Sequence, residues 1–404
     1  MRPFTVEEIL EKDIATMDQP GILESTSPSL KFFIIAPPEV TTRLSRNQTK
    51  RASRYYNDTL NEESAEIWLH RGFERMTYNE GHTLNSTEAD VYLVAGYLHL
   101  NSKITQGSTI VEYYRKRIVD PTKPHLLLMP SWNPGRSGEA GIKSLAKALL
   151  EDEVNLWSVG FERNKFWQGV SPDRIVPVPY VVRPSESRET LKKLTSNERK
   201  ENFVFYSGDL RPNAKGWAGC HRDKLIYPLQ NRTDMDVRLV GKRTTGKRLD
   251  EKEYNYRMTS SEYCLILCGD TPSSRSLASS IVYGCLPIRV GSRLRGLCEP
   301  PCQKGWGWNI AGPENSHLPF PDRIPWGKFP EVDEMQFTEA GARVLHDLFL
   351  RFDSNKKEEI RSVMGKVQEG FIYGWGDPVT STDFGNAVLY TWSSFKEILS
   401  DRKK

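Results

Sequence analysis

No apolar run in this chain approaches the ~20 residues that a helix needs to cross a bilayer, and residues 1 to 30 contain no stretch with the pattern of a signal peptide. A helical membrane span is therefore not expected. Cysteine is missing from the whole first half. The six that occur, at 220, 264, 268, 285, 298 and 302, include no CxxC pair and are not spaced with histidine as zinc ligands would be. No metal site is expected from them. Charge of one sign is lacking too: 56 basic residues against 52 acidic ones leave a net charge of +4, too balanced for a nucleic-acid or polybasic membrane surface. Repeats and low-complexity tracts are absent.

The chain does have length. At roughly 100 to 200 residues per domain, 404 residues predict two or three domains. Apolar content of 38% with a mean hydropathy of −0.56 describes a globular chain with generous loops. Short apolar runs bounded by proline or glycine mark buried strands: Lys31 to Ala36, Val91 to Ala95, Pro124 to Met129, Asn155 to Val159, Asn202 to Gly208 and Asp236 to Val240. Helical spacing recurs over Glu62 to Met76, Ile142 to Leu150, Glu251 to Ser261, Met335 to Phe352, Asn355 to Gly370 and Asp383 to Leu399. The polar run of residues 183–200 reads as a connection between two halves.

The second half is organised around Tyr254 to Val290. Tyr263 to Leu267 is a short buried strand, and Cys268-Gly269-Asp270-Thr271-Pro272 stops it. Ser273, Ser274 and Arg275 then open a helix that Gly284 closes, and Leu286 to Val290 resumes as a strand. Hydroxyls, free amides and a guanidinium at a helix start suit an anion, because the helix dipole favours negative charge there. Two serines in that position also serve as plain helix caps.

This stretch, EYCLILCGDTPSSRSLASSIVYGCLPIRV, resembles the signature of the exostosin-like glycosyltransferases. The family shows an aromatic-Cys-Leu strand, a Gly-Asp-x-x-x-Ser loop, an Arg-bearing helix and a Gly-Cys-Ile/Leu-Pro strand. The resemblance continues more weakly in Thr87 to Gly96 and in Asp173 to Tyr180. It implies an α/β chain of the GT-B kind, two Rossmann-like domains facing each other across a cleft. The expected division is a stem or surface segment at 1–30, an acceptor-side domain at 31–182, a linker at 183–200, a nucleotide-sugar domain at 201–380, and a C-terminal helix at 381–404 that packs back.

The implied activity is transfer of a sugar, with inversion and without a metal or other cofactor, from a nucleotide sugar to a glycan or glycoprotein acceptor. A UDP-linked donor is the expectation, and pairing with a second glycosyltransferase chain is compatible. The resemblance assigns the donor to Gly208, Arg211, Arg222, Gly269, Asp270, Ser273, Ser274, Arg275 and Ser279. His99, at the carboxyl end of the strand Val91 to Ala95, is the candidate general base because an imidazole titrates near working pH, with a structural or surface imidazole as the alternative. Trp306 and Trp308 are candidates for stacking on a sugar ring or base, with buried packing the more common fate of such side chains. Two positions depart from the pattern. The family places its Arg one position later, where Ser276 stands, and an acidic residue where Ser279 stands. A serine offers a ribose one contact where a carboxylate offers two, so a non-catalytic partner of another glycosyltransferase is the alternative.

Asn47, Asn57, Asn85 and Asn231 each begin an N-x-S/T acceptor in a polar stretch. They agree with the Golgi or endoplasmic-reticulum lumen that the resemblance implies. For cysteine two readings stay open: buried free thiols, Cys264 in its strand among them, or disulfides if the compartment is oxidising, with Cys298 and Cys302 as one candidate pair around a Pro-Pro turn.

Overall fold

A computed structural model describes residues 30–36, 65–95, 107–128, 140–161, 170–182, 184, 186–194, 202–208, 226, 229, 232–233, 235–239, 249–267, 274–291, 318–321, 323–333, 342–375 and 382–402. Two five-stranded parallel sheets carry the chain. The first joins β1 (Phe32–Ile35), β2 (Val91–Val94), β3 (His125–Leu127), β4 (Leu156–Gly160) and β5 (Ile175–Pro177), lying side by side in chain order. The apolar runs that mark β2 to β5 are buried on both faces, as a parallel sheet between helices requires, while β1 at the sheet edge buries Phe32 and Ile35 and leaves Phe33 and Ile34 half-buried.

The alternation of side chains sorts the first sheet into two packing layers. Tyr92, Val94, Leu127 and Leu156 face one layer, with Val111 and Tyr114 of α2 (Gly107–Arg115) and Ala146 and Leu149 of α3 (Ala140–Glu151). Val91, Leu93, Leu126 and Trp157 face the other. That layer is covered by α1 (Ala65–Arg75) and by α9 (Ala387–Asp401), the last helix of the chain. Trp392 of α9 meets the Phe32 ring edge-on at 4.9 Å, and Phe395 meets Trp157 at 5.4 Å. The end of the chain thus completes the core of its first sheet.

The second sheet is built from β6 (Asn202–Gly208), β7 (Met235–Leu239), β8 (Ser261–Leu267), β9 (Leu286–Gly291) and β10 (Glu331–Asp333). Its spatial order is β7-β6-β8-β9-β10. Direction therefore reverses between β6 and β8. Helices α5 (Glu251–Thr259) and α6 (Arg275–Val282) pack on it, with α7 (Ala342–Arg351) and α8 (Ser354–Val367). Gly284 adopts φ 68° after α6, the left-handed turn expected of it.

Residues 183–200 are more than a polar connection, because α4 (Arg188–Leu194) lies within them and buries Leu191. Buried Gln368 ties this helix to the second sheet. Its amide nitrogen donates to the Leu191 carbonyl at 2.9 Å and to the Val282 carbonyl at 2.6 Å. Beside it, Glu369 receives Arg188 at 3.2 Å and Lys192 at 3.3 Å. The Tyr373 hydroxyl donates to the Pro179 carbonyl at 2.9 Å, and Val182 bridges Ile372. The segment after α8 therefore binds both halves.

The structure decides between the two cysteine readings for Cys264. Cys264 is not a free thiol: it is bonded to Cys285, with their Cα atoms 5.7 Å apart. Cys264 lies in β8 and Cys285 immediately precedes β9, so the pairing of these adjacent parallel strands brings the two side chains together. Cys298 and Cys302 lie outside the described residues. The bond closes a loop with a sequence separation of 21, for which chain entropy gives roughly 3 kcal/mol. Peptide mapping without reductant is expected to recover the Cys264–Cys285 crosslink. The double variant Cys264→Ala/Cys285→Ala is expected to lose about 2–4 kcal/mol in urea unfolding.

Candidate functional site

The reversal between β6 and β8 has a local consequence. Their ladder runs from Asn202 opposite Ser261 to Phe205 opposite Cys264 and stops there. β6 continues to Gly208 paired only with β7, and β8 continues to Leu267 paired only with β9. The carboxyl ends of the two central strands thus separate. In open parallel sheets this is the crevice in which ligands bind, since the connections leave it to opposite sides.

Gly208 sits on that edge. A Cβ there would come within 2.5 Å of the Tyr206 hydroxyl, and Tyr206 is only 5% exposed. The glycine thus accommodates a buried phenol as well as leaving backbone accessible. Across the crevice, Ser274 opens α6 as its N-cap, with φ −141° and ψ 156°. Its Oγ accepts the Leu277 amide at 3.2 Å. Helix geometry leaves the amides of Arg275 and Ser276 with no acceptor inside the helix. Ser274 is therefore a cap, and the amides of Arg275 and Ser276 stand at the carboxyl end of the sheet with the start of the helix.

Arg275 stands in the first turn. Its Nη2 donates to Glu251 Oε1 at 3.3 Å, and its Nε has no hydrogen-bond partner among the described residues. Glu251 arrives because Asp250 caps α5, accepting the Glu253 amide at 2.8 Å. A helix between two parallel strands runs back against them, which puts its first turn on the carboxyl edge. The charge of the partly buried Arg275 is thus balanced by a carboxylate from the preceding helix.

Behind this corner lies a set of hydroxyls. The Tyr254 hydroxyl donates to Ser276 Oγ at 3.3 Å. Burial pushes the Tyr254 phenol above its ordinary value, while Ser276, the Arg275 charge and Ser279 pull it down. Ser279 is 1% exposed. Its hydroxyl is turned to the Tyr254 phenol, so the protein itself supplies its partner. Tyr283 is fully buried, and burial together with the carboxylates of Glu186 and Glu251 raises its phenol far above the usual range. It stays protonated and hydrogen-bonds Glu186, which comes from the linker.

Of the residues named from sequence, the fold thus places Gly208, Ser274 and Arg275 around one sheet edge and puts Ser279 behind it. His99, Arg211, Arg222, Gly269, Asp270, Ser273, Trp306 and Trp308 lie outside the described residues. Glu251, Tyr254, Tyr283 and Glu186 were not found from sequence. The Asp250 cap was the available signal for Glu251, because it fixes that residue in a first helical turn. Among the described residues no group of three His, Cys, Asp or Glu side chains is placed to hold a metal ion, and no helix is long and apolar enough to cross a membrane.

Residues 30–332 match the family model described as the exostosin GT47 domain. The chain belongs to the exostosin GT47 family. Its similarity to curated relatives is distant. It is 21% identical, over 77% of its own length and 65% of the relative's, to an Arabidopsis thaliana protein named as a glucuronoxylan glucuronosyltransferase. It is 23% identical, over 76% of its length and 68% of the relative's, to a rice (Oryza sativa subsp. japonica) protein named as a glucuronosyltransferase. A second Arabidopsis thaliana protein, also named as a glucuronoxylan glucuronosyltransferase, is 22% identical over 57% of this chain and 51% of that one. The chain spans about two thirds or less of the length of these relatives. The GT47 match ends at β10, so α7, α8 and the core-completing α9 lie beyond it.

The cap itself is testable. Ser274→Ala is expected to destabilise the protein by about 1 kcal/mol, and Ser274→Asp to keep most of that stability, because a carboxylate also accepts a first-turn amide. Urea midpoints of the three proteins check this, and equal midpoints would contradict the capping role.

Proposed function

We propose that this chain is an inverting, metal-independent glycosyltransferase of GT-B architecture that moves a sugar from a UDP-linked donor to a glycan or glycoprotein acceptor. The observation that carries the reading is the parting of β6 from β8 directly beside the start of α6. Beside that parting stand two helix amides with no acceptor inside the helix and the Arg275 guanidinium, which Glu251 partners. A nucleoside diphosphate fits that chemistry, since its charge is met by the helix dipole and by charge-assisted hydrogen bonds.

In this mechanism an acceptor hydroxyl loses its proton to a base and attacks the anomeric carbon from the face opposite the nucleotide. The bond from that carbon to the diphosphate oxygen breaks, and the configuration inverts. Arg275 with the amides of Arg275 and Ser276 stabilises the leaving diphosphate as its charge grows. Gly208, Arg211 and Arg222 form the facing wall, Gly269, Asp270 and Ser273 the loop between, and His99 the base. The first sheet, residues 31–182, holds the acceptor and the second, residues 201–380, the donor. Because the relatives are named as glucuronosyltransferases, a glucuronosyl donor is the first to test. Action in the Golgi or endoplasmic-reticulum lumen is supported by the Cys264–Cys285 bond, which persists in oxidising compartments, and association with a second glycosyltransferase chain is part of the same reading.

A second reading, a non-catalytic partner of another glycosyltransferase, is favoured by one observation: Ser279 is buried against Tyr254 where the family signature has an acidic residue. Thermal shift with UDP and GDP, followed by transfer assays over a panel of nucleotide sugars, separates the two. UDP is expected to raise the melting temperature, and Arg275→Ala to weaken UDP roughly 10- to 100-fold, the value of a charge-assisted hydrogen bond. Stabilisation by neither nucleotide, with no transfer, would favour the partner reading instead.

A further inference from the structure

We infer that Asn85 carries an N-linked glycan, displayed on the end of the first sheet that points away from the catalytic edge. Of the four acceptor tripeptides, Asn85-Ser86-Thr87 is the one that lies wholly among the described residues. The segment holding it is anchored to the amino end of β1. The Phe32 amide donates to the Gly81 carbonyl at 2.7 Å, the Thr83 amide to the Phe32 carbonyl at 2.9 Å, and the Asp90 amide to the Lys31 carbonyl at 2.8 Å. Asn85 and Thr87 are both exposed. The segment lies at the amino end of β1, so a bulky sugar there projects from the end of the sheet opposite the carboxyl edges.

The local bonding tolerates the modification. Asn85 Oδ1 accepts the Thr87 amide at 3.1 Å and the Thr87 hydroxyl at 2.8 Å, capping a short 3-10 turn. Nδ2 donates to Glu88 Oε1 at 3.0 Å. In the transfer, Nδ2 gives up one proton and bonds to the anomeric carbon of a lipid-diphosphate-linked oligosaccharide. That carbon's bond to the phosphate oxygen breaks, and the lipid diphosphate leaves. Oδ1 is untouched and Nδ2 keeps its second hydrogen, so both roles of the side chain survive.

The surface beside it gives the glycan something to do. Leu84 is 88% exposed, more than Tyr78, Val119 or Tyr256, the other large apolar residues that the described surface leaves open. A sugar on the next residue covers this side chain, which otherwise offers an apolar contact to another molecule.

The inference rests on the lumenal placement proposed above, and one preparation tests both. Protein isolated from the cells that make it is digested without reductant, treated with a glycan-releasing amidase in heavy-oxygen water and mapped by mass. The expected result is the Asn85 peptide converted to labelled aspartate, together with the Cys264–Cys285 crosslink. An unmodified Asn85 with the crosslink formed overturns the glycan and leaves the lumenal reading standing; an unmodified Asn85 with both thiols free overturns both. In a eukaryotic secretory host, Thr87→Ala and Asn85→Asp are expected to lose one glycan mass while Thr87→Ser keeps it. The loss is also expected to raise self-association, and adding Leu84→Ser to Thr87→Ala to reverse it. A glycan retained in Thr87→Ala would overturn the assignment.

Discussion

Parallel strands can be joined only by crossovers that return over a face of the sheet, and the order β7-β6-β8 obliges the chain to leave its two central strands in opposite directions. The crevice, the helix start and the residues around them all descend from that constraint. Where the ladder between β6 and β8 ends at Phe205 and Cys264, the strands no longer share hydrogen bonds. Their loops part, and the first turn of α6 is left at the rim with amides that nothing within the helix can satisfy.

The disulfide reinforces the same unit. Cys264 and Cys285 join β8 to β9 around α6, so the loop that carries the proposed diphosphate site is closed covalently at its base. Gln368 adds a second clasp, holding the end of α6 to the linker helix α4 through two carbonyls. The stiffness of the corner therefore comes from behind it. Its front, Ser274 to Ser276, remains partly exposed.

The link between the halves also depends on a few residues late in the chain. Glu369 gathers Arg188 and Lys192 from α4, and Tyr373 reaches Pro179 at the end of the first sheet. α9 then packs Trp392 and Phe395 into the core of that first sheet. The final helix of the chain therefore helps stabilise its first strands, although almost the whole sequence separates them.

Much of this was legible beforehand, and the reason is local. Tyr263 to Leu267 is apolar, short and ends in a glycine turn; Ser274 and Gly284 bracket a helix. Those features act over a few residues, so the sequence by itself determined the strand-loop-helix-strand unit and its caps. What only the tertiary structure decided are relations between distant residues: Cys264 with Cys285, Glu251 with Arg275, Tyr283 with Glu186, Ser279 turned to Tyr254. Each depends on which strands are neighbours and where a ladder stops. Spacing along a chain does not carry that information, because the burial and pairing that fix it are summed over both halves at once.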